Sequence, residues 1–120
     1  MPNNTQKGIK GEEIALTYLV KKGYEILETN WRHQHLEIDI IASINNTLVI
    51  VEVKLRTNDY YGKPEEFVSK SKQKKVIKAA DFYIKKNNIF WETRFDVVSI
   101  IQNPSELTID HIENAFLPTL

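Results

Sequence analysis

Apolar residues recur at helical spacing near the start of the chain, where Ile9, Ala15, Leu16, Leu19 and Val20 form one stripe and Gly23 closes it. This predicts a helix over 6–22. Residues 24–30, Tyr-Glu-Ile-Leu-Glu-Thr-Asn, read as a short strand. Residues 36–43 then alternate as Leu-Glu-Ile-Asp-Ile-Ile-Ala-Ser, Asn45-Asn46 gives a turn signal, and residues 47–55 are a β-branched, continuous run. The two runs predict a hairpin. Residues 57–68, with Gly62 and Pro64, read as a loop. A second helix is expected over 70–86, capped by Ser69, with Val76, Ala79, Ala80, Tyr83 and Ile84 as its apolar stripe. Residues 94–101 form another strand, and 107–111 are a candidate for a last one. The order αβββαβ with a short tail suggests an α/β sandwich with a mixed sheet. There is no internal repeat, low-complexity segment or dividing linker, so residues 1–120 read as a single domain.

The hairpin carries the first chemical signal. If its turn is centred between Asn45 and Asn46, Asp39 faces Glu52 and Glu37 faces Lys54. Side chains alternate across a strand, so one face would carry Glu37, Asp39, Glu52 and Lys54 together. Glu37 opposite Lys54 is an ordinary cross-strand ion pair. Asp39 opposite Glu52 is not, because like charges directly opposed destabilise a sheet and the apolar surroundings add desolvation. A divalent cation between the carboxylates would remove the repulsion, and hard cations such as magnesium take oxygen ligands of this kind. Lys54, two residues after Glu52, could orient a water or stabilise charge on a phosphoryl group. The spacing Asp-x(n)-Glu-x-Lys is therefore compatible with a phosphodiesterase site, and equally with the solvated face of a hairpin.

Two helical positions add to this. Glu12 falls near the middle of the apolar arc of the first helix, where a carboxylate needs a partner or a role. It would be a third acid reaching a metal or its water, or half of a buried ion pair. Lys72 precedes Val76 by four, on the side that packs inward, and Gln73 lies near the same arc. Between Lys70 and Lys78 there are five lysines (70, 72, 74, 75, 78) and no acid. Cations at a helix start oppose the macrodipole, whereas a bound phosphate would favour both. A solubilising face suffices for Lys70, Lys74 and Lys78. Arg56 and Thr57 follow the Lys54 strand and could contact phosphate. His33 and His35 lack a third nearby ligand, His111 reads as isolated and structural, and Asp96 as a satisfied strand-end acid. Trp31, Tyr60, Tyr61 and Trp91 could stack on bases, although packing explains any one of them.

Composition narrows the setting. The chain of 120 residues contains no cysteine, which excludes disulfides and thiolate zinc sites. Lysine plus arginine number 16 and aspartate plus glutamate also 16, so net charge argues neither for nor against a polyanionic partner. No run is apolar enough for a signal peptide or a membrane span, so a soluble, cytoplasmic protein without a membrane partner is the expectation.

Longer motifs carry a resemblance. Gly8-x-x-Gly11-Glu12-x-x-Ala15-x-x-Tyr18-Leu19, Gly23-Tyr24-x-Ile26-Leu27-x-x-Asn30-x-Arg32, Glu37-Ile38-Asp39-Ile40-Ile41-Ala42 and Leu48-Val49-Ile50-Val51-Glu52-Val53-Lys54-x-Arg56 resemble the YraN-type family of bacterial predicted endonucleases. So do Val68, Lys72, Ala79, Tyr83, Arg94-Phe95-Asp96-Val97-Val98 and His111-Ile112-x-Asn114-Ala115-Phe116. That family is similar to archaeal Holliday-junction resolvases of the PD-(D/E)XK, restriction-endonuclease-like fold. The resemblance implies metal ligands at Asp39 and Glu52, a catalytic lysine at Lys54, an accessory acid at Glu12 and magnesium or manganese as cofactor. It implies DNA as substrate; Lys72, Arg56, Gln73 and Lys75 are the candidate nucleic-acid contacts, by their places on the second helix and after the Lys54 strand. Symmetric cutting of two strands would favour a homodimer. Two departures are visible: Leu36 stands where the family often has glycine, and Ile38 where the fold often has proline. A non-catalytic nucleic-acid-binding module and a protein-interaction domain are the rival readings, since fold does not fix function.

Overall fold

The computed structural model describes residues 4–56 and 68–118, with side chains from Lys10 onward. The predicted loop, with Thr57, Tyr60 and Tyr61, lies outside the described residues except for Val68. The elements are α1 (Asn4–Lys21), β1 (Glu25–His33), β2 (Leu36–Ile44), β3 (Thr47–Arg56), α2 (Lys70–Lys86), β4 (Glu92–Asn103) and β5 (Glu106–Ile112). The sheet runs β1-β2-β3-β4-β5. Its pairs are antiparallel except β3 with β4, which are parallel because α2 returns the chain to the same end. The result is a mixed α/β sheet flanked by two helices, consistent with a restriction-endonuclease-like core.

Alternation along the strands sorts the core into two layers. Leu48, Ile50, Phe95 and Val97 pack with Val76, Ala79, Ala80 and Tyr83 of α2. Val49, Val51, Val98 and Ile100 pack with Ala15 and Leu19 of α1. The helices thus cover opposite faces. Ser69 caps α2 as expected, its hydroxyl accepting from the Lys72 N–H at 3.1 Å. The α1 contact depends on a glycine. A Cβ on Gly11 would lie 3.3 Å from the Leu55 Cβ, so the bare backbone lets α1 approach the end of β3.

Asn45 and Asn46 both adopt positive φ, 49° and 60°. That matches the tight two-residue turn that fits the strand twist, and asparagine tolerates it. The register is the one expected from the turn, running from Ile44↔Thr47 to Ile40↔Val51. The last strand is a full element, β5. β1 runs three residues beyond the expected end at residue 30. Asn30 adopts φ 49° without ending the strand, and pairing resumes at Trp31↔Ile38.

Candidate functional site

The ladder between β2 and β3 ends at Ile40↔Val51, and side chains take over from backbone at that point. The Val53 N–H donates to Asp39 Oδ2 at 2.9 Å, and the Asp39 N–H makes a long 3.5 Å contact with Glu52 Oε2. Strict alternation also breaks here. Ile38 and Ile41 both lie in the layer under α2, whereas Ile40 and Ala42 lie under α1. The strands part at the acidic pair, and the Asp39 carboxylate satisfies the backbone donor that the parted ladder leaves without a carbonyl.

Glu52 is 2% exposed and Asp39 is half-buried. Burial, then the charge of Asp39, push the Glu52 carboxyl up to about 7. Burial also raises Asp39, against the lowering effect of the Val53 N–H and the charge of Lys72. Lys72 of α2 reaches across, with Nζ 3.5 Å from Glu52 Oε1. Lys54, half-buried on β3, acts on both carboxylates in the same sense as Lys72. Two carboxylates therefore meet two ammonium groups in a largely desolvated site.

Glu37 departs from expectation. It does not form the cross-strand pair with Lys54, because β2 and β3 have already separated at that level. Its partner is Arg32 across β1, at 3.6 Å and largely exposed. Glu12 sits half-buried on α1. Burial raises its pKa, a hydrogen bond with Asn30 opposes this, and the charges of Asp39 and Glu37 raise it further. Glu12 is thus electrostatically part of the site, and Asn30 offsets part of its desolvation. Among the described residues, no three histidine, aspartate or glutamate side chains converge into a group that could hold a metal.

The phosphate candidates are dispersed. Arg56 is half-buried at the end of β3, and Lys75 is exposed on α2. Gln73 turns back to the helix start, donating through Nε2 to the Val68 carbonyl at 2.9 Å. Trp31 packs edge-on against Tyr83, at 5.4 Å between ring centroids, and stacks with His33. Trp91 remains 43% exposed beside the fully solvated Phe90.

His111 is not isolated. Its Nε2 lies 2.7 Å from Asp96 Oδ2, and its Nδ1 lies 3.2 Å from the Tyr18 hydroxyl. Asp96 also accepts from Arg94 and from the Asn114 N–H. Burial acts to raise the Asp96 pKa, but the hydrogen bonds from His111, Arg94 and Asn114 prevail and hold it below the usual carboxylate range. Asp96 is therefore a satisfied acid, as its sequence setting suggested.

Sequence reasoning missed Asn30 as the partner of Glu12, and the backbone of Val53 as the orienting donor for Asp39. An asparagine inside a strand, next to a tryptophan, was the available signal for the first, since asparagine tolerates positive φ. No side-chain pattern could have signalled the second.

The fold and site together define an α/β protein with a mixed five-stranded sheet, consistent with a restriction-endonuclease-like core, and with a largely desolvated acidic pair where a hairpin parts. Comparison with known sequences then gives the family. The profile described as "Uncharacterised protein family UPF0102" matches residues 11–100. A UPF0102 protein of Christiangramia forsetii is 42% identical over 116 residues, covering 97% of this chain and 98% of that protein. UPF0102 proteins of Persephonella marina and Thermodesulfovibrio yellowstonii are each 48% identical, over 92% and 91% of this chain and 92% and 94% of theirs. The chain belongs to the UPF0102 family, the YraN-type group that its motifs resemble.

Proposed function

We propose that the protein is a divalent-metal-dependent endonuclease that hydrolyses phosphodiester bonds in DNA. The observation that carries this reading is the Asp39–Glu52 pair. Two carboxylates are held together in a site that raises both their pKa values, a costly arrangement for a structure with no use for it.

The donor set fits a hard cation. Asp39 and Glu52 supply carboxylate oxygens, and magnesium is commonly bound by one or two carboxylates while keeping several waters. A three-acid cage is not required, which accommodates a Glu12 engaged with Asn30. Asp39 and Glu52 would hold magnesium or manganese. The bound ion would lower the pKa of a water and offset charge developing on the phosphoryl oxygens.

The chain's own residues would do the rest. Val53, through its N–H, fixes the orientation of Asp39. Lys54 would orient the attacking water or balance charge on the transferring phosphoryl group. Water oxygen would bond to phosphorus in line as the bond to the sugar 3′-oxygen breaks, and that oxygen would leave as the 3′-hydroxyl. Glu12 would complete the acidic environment through Asn30. Lys72 and the exposed Lys75 would hold phosphates near the start of α2, with Arg56 as a further contact. The resemblance to archaeal Holliday-junction resolvases supports branched or otherwise structured DNA as the substrate. Among the described residues, no helix is long and apolar enough to cross a membrane.

The test is cleavage of labelled single-stranded, duplex, flap and four-way-junction DNA with magnesium or manganese, present or chelated. Wild type is run beside Asp39→Ala. Metal-dependent cutting that disappears in the variant is the expected result. No cutting under any condition, together with no metal bound by calorimetry, would replace this reading with a nucleic-acid-binding module.

A further inference from the structure

Lys72 is half-exposed, with 42% of its side chain accessible, yet its ammonium lies 3.5 Å from a Glu52 carboxylate that is 2% exposed. A long lysine on a helix surface has water available to it, and holding it against a buried acid costs rotamer entropy. The contact is explained by what it faces, since Glu52 and Asp39 repel one another in a desolvated site. A divalent cation held by Asp39 and Glu52 would relieve the same repulsion and would compete with the ammonium for Glu52.

We infer that Lys72 is the resident counter-ion of the metal-free site: a divalent cation at Asp39 and Glu52 displaces its ammonium, which is then available to bind a phosphate of the nucleic acid. This rests on the proposed metal-dependent reading and adds an order of events to it. With both carboxylates ionised and no metal bound, Lys72 and Lys54 match them in charge. With a divalent cation the same groups carry an excess of two positive charges, and Lys72 has lost its partner. Metal binding would therefore precede and strengthen the capture of nucleic acid. Lys72 is a positioning residue in this scheme, acting through Glu52 in one state and on substrate in the other.

The inference makes metal affinity depend on Lys72 in an unusual direction, because metal must compete with it. Manganese binding is measured by calorimetry on the full chain, in wild type, Lys72→Gln, Lys72→Arg and Asp39→Ala. Lys72→Gln is expected to bind manganese about tenfold more tightly than wild type. Lys72→Arg, which keeps the charge, is expected within about threefold of wild type. In parallel, amine acetylation at Lys72 is followed by mass spectrometry in wild type, with Lys75 and Lys78 as references. Saturating magnesium should raise the relative reactivity of Lys72 several-fold.

Equal or weaker manganese binding by Lys72→Gln would overturn the inference while leaving the nuclease reading intact. If Lys72→Gln does not fold, the wild-type acetylation decides alone, and unchanged Lys72 reactivity at saturating magnesium overturns it. If wild type and Lys72→Gln both fail to bind manganese, the metal reading falls and this inference falls with it.

Discussion

Glu52→Gln is the substitution most directly linked to the site's physics. The wild-type carboxyl is raised from 4.5 to about 7, mainly by burial and then by Asp39. The folded protein therefore holds a proton on Glu52 over a range where the unfolded chain has released it. The stabilising effect of this proton is fully present below the unfolded value of 4.5. It is lost as pH rises from there through about 7. A difference of about 2.5 pH units, at about 1.36 kcal/mol each, gives roughly 3 kcal/mol. Sharing of the proton with Asp39 would divide that amount between the two groups, with the same sign. Glutamine keeps the shape and cannot ionise. Urea unfolding of both proteins, in chelator, from about pH 5 to about pH 8 reads the titration of the pair, because groups remote from Glu52 cancel in the difference. The variant should gain on wild type by roughly 1–3 kcal/mol across that range, then level off. Magnesium should restore wild type at the upper end and leave the variant nearly unchanged. A difference constant to within about 0.5 kcal/mol would mean that Glu52 titrates as an exposed acid, refuting the claim of a strained pair.

Asp96→Ala should cost about 3–5 kcal/mol in urea unfolding, because it leaves Arg94 and His111 without their shared buried acceptor. A loss below about 1 kcal/mol would show the network to be dispensable. Gly11→Leu should lower stability by about 1–3 kcal/mol by forcing α1 away from Leu55. Gly11→Ala should be close to neutral, since helix propensity offsets a slight crowding, and thermal melts distinguish the two. Lys75→Ala should reduce the salt dependence of DNA binding by about one charge while leaving the melting temperature unchanged, as filter binding at several salt concentrations would reveal.

Much of this architecture was legible from local pattern. Ser69, the stripe of α2 and the Asn45-Asn46 turn act through neighbouring residues, so α2 appears with the expected bounds and the hairpin in the expected register. The register alone brings Asp39 beside Glu52. What was not legible depends on where regularity stops. Nothing in the residues of β2 and β3 announces that the strands part after Ile40↔Val51, so Glu37 meets Arg32 and not the Lys54 that the register predicts. Where the strands separate, the Val53 N–H donates to Asp39, a contact made by backbone that no residue type encodes. His111 reads as isolated in sequence because its partners lie 15 and 93 residues away, and it takes the pairing of β4 with β5 and the packing of α1 to bring them together.

The same sheet contains a control for the functional argument. Asp96 and Glu52 sit on neighbouring strands, with Val51↔Asp96 and Glu52↔Val97 as consecutive pairs. Alternation sends Glu52 towards α2 and Asp96 towards α1. Both acids are buried, at 2% and 0% exposure. Burial alone therefore does not determine how well each acid is satisfied. Their partners do. Asp96 faces an arginine, a histidine and a backbone N–H, which outweigh desolvation and keep it charged. Glu52 faces a second carboxylate and a lysine that is still half in water, and desolvation prevails. A fold able to satisfy one buried acid completely, one strand away, was not prevented by its architecture from satisfying the other. The pair in which desolvation prevails is the one placed where the hairpin opens, and that is where an added cation would complete it.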